Sequence, residues 1–204
     1  MVSDTENNPT THPNLHTDSV QTEQAPKRRS VWTTKQKAVR VLWSTLGRTL
    51  WIVCPGARSS ILRLFGGKVG KRCVFARNVD IAIPWNITMG DDVFVGEDTI
   101  LYSLGMITIG DGCVFDTKAH LCAGTHDMTD PLFPLTRPPI TLGQGCFVGF
   151  DAYIGPEVVL GDRTKVHPRS SVYRSTEPDT VWRGNPAKQV EPESGQAQGQ
   201  EGAA

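Results

Sequence analysis

Hydrophobic residues recur at every sixth position over residues 140–172, and most of them are followed by glycine. The aliphatic positions are Leu142, Val148, Ile154, Leu160, Val166 and Val172. Four residues after each of the first five of these stands a small or β-branched residue: Cys146, Ala152, Val158, Thr164 and Ser170. A fixed period of six indicates a parallel β-helix, in which three six-residue faces make one triangular coil and stacked coils share a continuous core. The aliphatic side chains are expected to point inward and the glycines to lie at corners.

The same pattern extends towards the N terminus and predicts about five coils, over residues 67–176. It begins at Val69, resumes at Met89 and restarts at Ile109 after a slip of two residues, which we interpret as a corner insertion. It stops over residues 123–139 and returns in phase afterwards. Loops of this length inside a regular repeat are uncommon unless they have a function. The sequence therefore predicts an all-β domain with one functional insertion.

Residues 31–66 follow a helical pattern. Their apolar positions are spaced mostly by three, four or seven: Trp32, Val39, Leu42, Trp43, Leu46, Leu50 and Val53. The segment is amphipathic and basic, and no acidic residue occurs between Glu23 and Asp80. We expect these helices to cap the open end of the β-helix. Peripheral contact with the inner membrane is the alternative, because tryptophan and basic residues are typical of interfacial helices.

The two ends of the chain are predicted to be disordered. Residues 1–30 are rich in Asn, Thr, Pro and Gln, and residues 191–204 consist largely of Gln, Gly, Glu and Ala. Neither a cleavable signal nor a membrane-spanning stretch is recognisable, so we expect a cytoplasmic protein. Cys73, Cys113 and Cys146 fall at the small corner position, as expected for core thiols in a reducing compartment. No nucleic-acid partner is expected.

One ionisable residue in the interrupted stretch is suited to proton transfer at neutral pH. This is His126, which lies between Thr125 and Asp127. Histidine is the usual general base near pH 7, because its unperturbed pKa is about 6.5. Spacing alone leaves open that His126 is an ordinary surface residue. His120 and His167 lie at or beside repeat corners and have structural explanations.

Several short motifs accompany the repeat. They are Leu-Phe-Gly-Gly-Lys-Val-Gly at 64–70, Gly-Thr-His-Asp at 124–127, Asp-Pro-Leu-Phe at 130–133, Pro-Ile-Thr at 139–141 and Gly-Asn-Pro-Ala-Lys at 184–188. Together they resemble the left-handed β-helix, hexapeptide-repeat acetyltransferases, in the branch of colanic acid and exopolysaccharide biosynthesis O-acetyltransferases. The resemblance covers about residues 35–190. Left-handedness comes from this resemblance, because spacing cannot give it and parallel crossovers are normally right-handed.

The resemblance implies transfer of acetyl from acetyl-CoA to a hydroxyl of a saccharide or lipid-linked saccharide, without a metal. It also implies a homotrimer whose sites lie between subunits. His126 corresponds to the family's general base, and Asp127 or a backbone carbonyl would orient its imidazole. It implies that residues 177–190 form a coenzyme-contacting segment, which contains Arg183 and Lys188. Coenzyme contacts are implied for six residues in all: Gly149, Ala152, Gly155, Lys165, Arg183 and Lys188.

Two positions depart from the family pattern. Relatives often carry asparagine near the acceptor site at about the position of Ser103. Many relatives also have Gly-Ala-Gly-Ser-Val-Val where this chain has Arg-Ser-Ser-Val-Tyr-Arg at residues 169–174. This stretch is bulkier and more basic where the coenzyme's tail is expected, so it would either strengthen phosphate binding or block the groove.

Other functions are compatible with the same fold. A non-catalytic β-helix could serve as an assembly module, because a fold does not determine a function. An acetyltransferase could also use a small non-sugar alcohol as its acceptor. A γ-class carbonic anhydrase shares the β-helix but requires three histidines around a metal, and here only His120 and His126 form a close pair.

Overall fold

Short β-strands separated by tight corners make up most of the chain, and the structure, a computed structural model, describes residues 32–191. The strands build three parallel sheets that form the three sides of a triangular coil. A parallel β-helix preceded by a short helical segment is therefore confirmed. The tails for which we predict disorder, residues 1–30 and all but the first residue of 191–204, lie outside the described part of the chain.

Each sheet contains one strand from every coil it passes through. The first sheet consists of β1 (Lys68–Val69), β4 (Ile87–Met89), β7 (Ile107–Ile109), β12 (Ile140–Leu142) and β15 (Val159–Leu160). The second consists of β2 (Val74–Phe75), β5 (Phe94–Val95), β8 (Val114–Phe115), β13 (Phe147–Val148), β16 (Lys165–Val166) and β18 (Val181–Gly184), with β19 (Ala187–Val190) antiparallel at its end. The third consists of β3 (Asp80–Ile81), β6 (Ile100–Tyr102), β9 (His120–Cys122), β14 (Tyr153–Ile154) and β17 (Ser171–Val172).

Equivalent residues of successive coils lie directly above one another. In the first sheet Thr88 pairs with Thr108, and Thr108 pairs with Thr141. Backbone amides donate from coil to coil, as from Gly90 N to the Ile109 carbonyl oxygen at 2.9 Å. The inward side chains consequently stack in buried columns, and that of the first sheet is Met89, Ile109, Leu142 and Leu160. The six-residue period is thus the period of one side of the coil.

A left-handed backbone residue precedes most of the small corner residues. At the coil corners within residues 32–191, nine non-glycine residues adopt this conformation, with φ between 54 and 63°: Arg72, Asp92, Asp98, Lys118, Asp151, Glu157, Arg163, Arg169 and Asp179. Gly112 and Gly145 occupy the same place ahead of Cys113 and Cys146, which are buried, whereas Cys73 is partly exposed. The turn directs the next side chain into the corner, where space is limited, and this explains why that side chain is small.

At another corner of the coil, a glycine of one coil lies against an aspartate of the next coil. The Asp111 carboxylate occupies the space that a Cβ on Gly90 of the preceding coil would need, and Asp162 does the same to Gly143. The Asp111 carboxylate also accepts the backbone N–H of Asp91 at 2.8 Å. Only glycine leaves room for this carboxylate, which joins adjacent coils outside the sheet hydrogen bonds.

Helices cover the first coil. They are α1 (Thr34–Leu42), a π-helical turn (Trp43–Gly47), α2 (Arg48–Val53), a 3₁₀ turn (Pro55–Ala57) and α3 (Arg58–Leu64). Trp43 and Trp51 are buried, and the Trp43 indole N–H donates to the Ile81 carbonyl at 2.8 Å. The Trp51 ring stands edge-on to Phe75 at 5.2 Å between centroids. These aromatic contacts cover the end of the core that the first coil would otherwise expose.

The outward faces of the three sheets differ in chemistry. The first sheet presents a threonine ladder, and the third presents Ile100, His120 and Tyr153. The second presents an apolar ladder in which consecutive rungs pair in register: Val74, Phe94, Val114 and Phe147. We call these four residues the apolar ladder. The side chains of these four residues point away from the core, so packing of the core does not explain why they are apolar.

Candidate active site

The residues that interrupt the repeat form a β-hairpin at the corner between the third and first sheets. β10 (Thr125–His126) pairs antiparallel with β11 (Leu135–Thr136), and His126 lies opposite Leu135. The Asp130 carbonyl accepts the N–H of Phe133, and its carboxylate accepts the N–H of Leu132, both at 2.8 Å. The insertion is therefore an ordered element that projects from the β-helix.

The backbone of this hairpin holds the imidazole of His126. Its Nδ1 lies 2.6 Å from the carbonyl oxygen of Phe133. A carbonyl oxygen can only accept, so in the neutral ring Nδ1 carries the proton and Nε2 is the basic nitrogen. Phe133 has φ 44°, an uncommon conformation for a bulky residue, at the turn that places this carbonyl.

Asp127 bonds away from the imidazole. Its Oδ1 accepts the N–H of Thr129 at 2.9 Å and the Thr129 hydroxyl at 2.6 Å. These hydrogen bonds, the one from the hydroxyl first, lower the pKa of the Asp127 carboxyl below its usual value. Of the two alternatives that the sequence left open, a backbone carbonyl is the one found beside the imidazole, that of Phe133, while Asp127 bonds to Thr129 in the adjacent turn.

The hairpin begins against the third sheet. A Cβ on Gly124 would lie 3.0 Å from Leu104 Cδ1 and 3.1 Å from Tyr102 Cε1, so glycine permits this close approach. Ser103, between these two residues, is fully buried. Its hydroxyl accepts the N–H of Ile83 and donates to the Ile83 carbonyl, each at 2.9 Å. Ser103 is therefore a structural residue, and its hydroxyl is not available to an acceptor.

Three of the expected coenzyme-contacting residues are engaged within the β-helix. Gly149, Ala152 and Gly155 are all buried. The N–H of Gly149 donates to the Val166 carbonyl and that of Gly155 to the Val172 carbonyl, each at 2.9 Å. The N–H of Ala152 donates to Gly149 at 3.1 Å. These amides are already bonded within the β-helix, those of Gly149 and Gly155 by coil stacking and that of Ala152 within its own corner turn.

The three expected basic residues lie together at the end of the second sheet. Arg183 pairs with Lys188 across the β18–β19 hairpin, and Lys165 pairs with Val181 on the neighbouring strand. Arg183 Nη2 also lies 3.3 Å from His167 Nδ1. The side chains of Lys165, Arg183 and Lys188 are exposed, so this edge concentrates positive charge that an anionic ligand can reach.

A cavity beside this edge was not anticipated from the sequence. It has a volume of about 320 Å³, and its lining includes Tyr173, Arg174, Trp182, Pro186 and Lys188. The first two residues belong to the stretch that departs from the family pattern. This departure was the sequence signal that could have indicated the cavity, because Tyr173 and Arg174 are exposed at positions where the repeat does not require an aromatic or an arginine.

The other described histidines have structural surroundings. His120 is partly buried and stands edge-on to Tyr153 at 5.3 Å between centroids, and burial lowers the pKa of His120. His167 lies beside Arg183. Within residues 32–191 no group of three or more His, Cys, Asp or Glu side chains is arranged to hold a metal ion.

Residues 139–167 match the sequence family described as the hexapeptide repeat of succinyl-transferase. Over 155 residues the chain is 41% identical to the Escherichia coli (strain K12) protein that carries the name colanic acid biosynthesis acetyltransferase WcaF, spanning 74% of this chain and 85% of that protein. A solved maltose O-acetyltransferase from Clostridium difficile 630 is similar in fold, with a TM-score of 0.72 and 24% identity over 78% of this chain and 88% of that chain.

A second solved structure is the hexapeptide-repeat containing acetyltransferase VCA0836 from Vibrio cholerae O1 biovar eltor, complexed with acetyl-CoA. Its TM-score is 0.71 and its identity 19%, over 80% of this chain and 92% of that chain. The fold is thus the left-handed parallel β-helix of acetyl-transferring enzymes. With 41% identity over most of both sequences, the chain belongs to the hexapeptide-repeat acetyltransferase family.

The contact between His126 and Phe133 predicts the tautomer of the neutral imidazole. In ¹⁵N-labelled protein with a neutral imidazole, we expect the Nδ1–H form of His126 to predominate, since the Phe133 carbonyl binds only a protonated nitrogen. The NMR signals of the His126 ring nitrogens are identified as those that are absent from the spectrum of a His126→Gln variant. A predominant Nε2–H form would contradict this geometry.

Proposed function

We propose that this protein transfers acetyl from acetyl-CoA to a hydroxyl of a saccharide in exopolysaccharide or related glycan biosynthesis, with His126 as general base. The observation that carries the proposal is the 2.6 Å contact that holds His126 Nδ1 on the Phe133 carbonyl and makes Nε2 the basic nitrogen. The name of the Escherichia coli relative supports the pathway class. A pure assembly module would have no need of a histidine held in this way.

The proposed reaction requires no protein nucleophile. His126 Nε2 accepts the proton of the acceptor hydroxyl while the hydroxyl oxygen bonds to the carbonyl carbon of the acetyl thioester. The tetrahedral intermediate then collapses, the CoA sulfur leaves, and the proton on Nε2 passes to that sulfur. The Phe133 carbonyl stabilises the imidazolium throughout, since Nδ1–H keeps donating to it. Positioning of the two substrates supplies much of the remaining rate.

The proposed donor site is the basic end of the second sheet. Lys165, Arg183 and Lys188 suit the phosphates of acetyl-CoA, because ammonium and guanidinium groups bind phosphate by charge-assisted hydrogen bonds. The adjoining cavity adds the aromatic surface of Trp182. Gly149, Ala152 and Gly155 contribute indirectly, by shaping the coils over which the pantetheine arm would lie.

The hairpin and the second sheet support assembly into a homotrimer. Met128, Leu132 and Phe133 at the hairpin tip are 76%, 52% and 46% exposed. Phe94 and Phe147 of the apolar ladder are 45% and 36% exposed. A cyclic trimer repeats one heterologous contact, which requires two different surfaces that fit each other. Packing of the tip on a neighbour's ladder would cover both and bring His126 to the subunit boundary.

The helical cap supports a location at the cytoplasmic face of a membrane. Leu42, Leu46 and Val53 recur along one side of the helical segment and are 49%, 49% and 69% exposed. In the same segment Trp43 and Trp51 are buried in the core. No acidic residue occurs among residues 32–79. Apolar side chains in a purely basic segment suit an anionic lipid surface. Among the described helices none has the length and hydropathy to span a bilayer.

Substitution of His126 tests the reaction. We expect His126→Ala to lower kcat by roughly 10²- to 10⁴-fold with little change in acetyl-CoA affinity, the range for loss of a positioned base. Lys188→Ala should instead raise the KM for acetyl-CoA about tenfold, as for loss of one charge-assisted contact. Asp127→Ala should reduce kcat less than His126→Ala, because Asp127 does not contact the imidazole.

These variants are compared by calorimetry with acetyl-CoA and by thiol release across a panel of sugars and small alcohols. Absence of acetyl-CoA binding would favour the assembly module. Preference for a small alcohol would overturn the saccharide acceptor, and full turnover by His126→Ala would overturn the mechanism.

Light scattering tests the homotrimer. The wild-type chain should have the mass of three chains, and Phe94→Asp should reduce it to that of one, since a carboxylate would be buried without a partner in the interface. Val159→Asp is the matched control, because Val159 is 48% exposed but lies on the first sheet. A monomeric wild type, or an unchanged Phe94→Asp trimer, would contradict this assembly.

Vesicle sedimentation tests the membrane surface. The protein should sediment with vesicles containing phosphatidylglycerol at low salt and be released as salt screens the attraction. Leu46→Asp should weaken binding about tenfold or more, as expected for losing one buried leucine, whereas Val159→Asp should bind like wild type. No sedimentation with anionic vesicles, or equal sedimentation with phosphatidylcholine alone, would rule the proposal out.

A further inference from the structure

Three successive coils carry additional residues at the same corner of the β-helix, between the third and first sheets. In the first coil this corner holds a 3₁₀ turn (Pro84–Asn86), and in the third coil it holds the hairpin that carries His126. In the second coil it holds residues 103–106, where the repeat slips by two residues. We call residues 103–106 the corner insertion. Because the coils stack in register, the corner insertion lies between the 3₁₀ turn and the hairpin.

The backbone of the corner insertion contacts both ends of the hairpin. The Gly105 N–H donates to the Ala123 carbonyl at 2.6 Å, and the Met106 carbonyl accepts the N–H of Ile140 at 2.9 Å. A Cβ on Gly105 would lie 2.6 Å from the carbonyl oxygen of Arg137, so glycine permits this close approach. The second leg of the hairpin is therefore packed directly on the corner insertion.

The first leg of the hairpin packs on a side chain of the corner insertion. Leu104 is 8% exposed, and its Cδ1 lies 3.0 Å from the place that a Cβ on Gly124 would take. Gly124 is itself buried and precedes His126 by two residues. A displacement of Leu104 would consequently reach the backbone that leads into His126.

The side chain of Asn86 holds the corner insertion from the coil on its other side. Its Nδ2 donates to the carbonyl oxygens of Ser103 and Leu104, each at 2.9 Å, which uses both N–H groups of the amide. The Ser103 hydroxyl is bonded to the Ile83 backbone of the same coil as Asn86. Ser103 and Leu104 are buried, and hydrogen bonds to buried carbonyls are costly to remove. The position of the corner insertion thus depends on this amide.

The internal geometry of the hairpin does not involve Asn86. His126 Nδ1 contacts the Phe133 carbonyl at 2.6 Å, and the N–H of Asp127 donates to the Pro134 carbonyl at 3.0 Å. All four residues belong to the hairpin. The hairpin therefore determines the orientation of the imidazole, whereas the corner insertion determines where the hairpin stands on the β-helix.

We propose that Asn86 is a positioning residue for the proposed base. It fixes the corner insertion, and the corner insertion places His126 Nε2 within reach of the acceptor hydroxyl. Misplacement of a reacting group by about 1 Å can lower a rate about 100-fold, so such a support affects turnover without touching the substrates. The inference rests on the proposed acetyl transfer, because it names a residue that positions the base of that reaction.

Asn86→Leu tests this role, since leucine has about the size of asparagine but no N–H to donate. We expect kcat in the thiol-release assay to fall roughly 10- to 100-fold, with little change in the KM for acetyl-CoA. The neutral imidazole of His126 should keep the Nδ1–H form in ¹⁵N NMR, because Phe133 moves with the hairpin. Loss of kcat with an unchanged tautomer distinguishes misplacement of the base from collapse of the hairpin.

Amide hydrogen exchange tests the support without any substrate. In the full-length Asn86→Leu protein, the amides of Gly105, Ala123 and Ile140 should exchange about tenfold or more faster than in the wild type, as for loss of a hydrogen bond to a buried carbonyl. The amide of Asp127, which is bonded within the hairpin, should exchange at the same rate in both proteins.

Gly105→Ala perturbs the same support from the side of the hairpin. Its Cβ would displace the Arg137 backbone while leaving the Asn86 amide in place, so kcat should fall in the same way. Thr99→Val is the matched control. Thr99 is also buried, and its hydroxyl donates to the Asp116 carbonyl of the next coil at 3.3 Å, but at the corner between the second and third sheets. We expect Thr99→Val to keep the kcat of the wild type.

Unchanged exchange at the three amides, wild-type kcat in Asn86→Leu, or an equal loss of kcat in Thr99→Val would overturn this inference. Thermal unfolding followed by circular dichroism shows whether each variant is folded, and Gly105→Ala decides the question if Asn86→Leu does not fold. If the wild type transfers acetyl to no acceptor while Asn86→Leu still accelerates exchange at the base of the hairpin, the proposed acetyl transfer is contradicted instead.

Discussion

Backbone hydrogen bonding between coils is the interaction on which the rest of this structure depends. Each coil satisfies its amides with carbonyls of the next coil, as Gly90 does with Ile109 at 2.9 Å, and buried amides without partners are costly. The coils must therefore stack in register, and each side must keep its six-residue length. The first and last coils each lack a neighbouring coil on one side, so their open ends must be covered by other elements. The tryptophan-bearing helices cover one end, and the antiparallel β18–β19 hairpin lies on the second sheet at the other.

The same constraint determines how a segment can be inserted between coils. At the base of the hairpin that carries His126, the Ala123 amide still donates to the Tyr102 carbonyl at 3.0 Å, and the Ile140 amide donates to the Met106 carbonyl at 2.9 Å. Both ends of the insertion thus remain in the hydrogen-bonded ladder, so the repeat resumes in phase. The chain between these ends is free of the coil geometry. It can adopt the left-handed conformation of Phe133 that presents a carbonyl to His126.

The functions that we propose lie on surfaces whose side chains are not determined by core packing. The amides of Gly149 and Gly155 are engaged in stacking. The donor site that we propose therefore consists of side chains at the edge of the second sheet. The side chains of the apolar ladder and of the exposed side of the helical cap point outward, so they do not take part in core packing. Because these surfaces are independent of the core, relatives with the same β-helix can differ in acceptor, assembly and location.

The sequence alone determined the β-helix, its inward columns, its small corner residues and the candidacy of His126. These properties follow from a local period that repeats, and one interruption of that period is visible without knowing any contact. Only the tertiary structure decided that Phe133 orients His126, that Asp127 bonds to Thr129, and that the Ser103 hydroxyl is engaged. It also placed the helical cap beside Tyr102 and so formed the cavity between them. These relations join residues distant in sequence or depend on side-chain direction within a turn, and spacing carries no information about either.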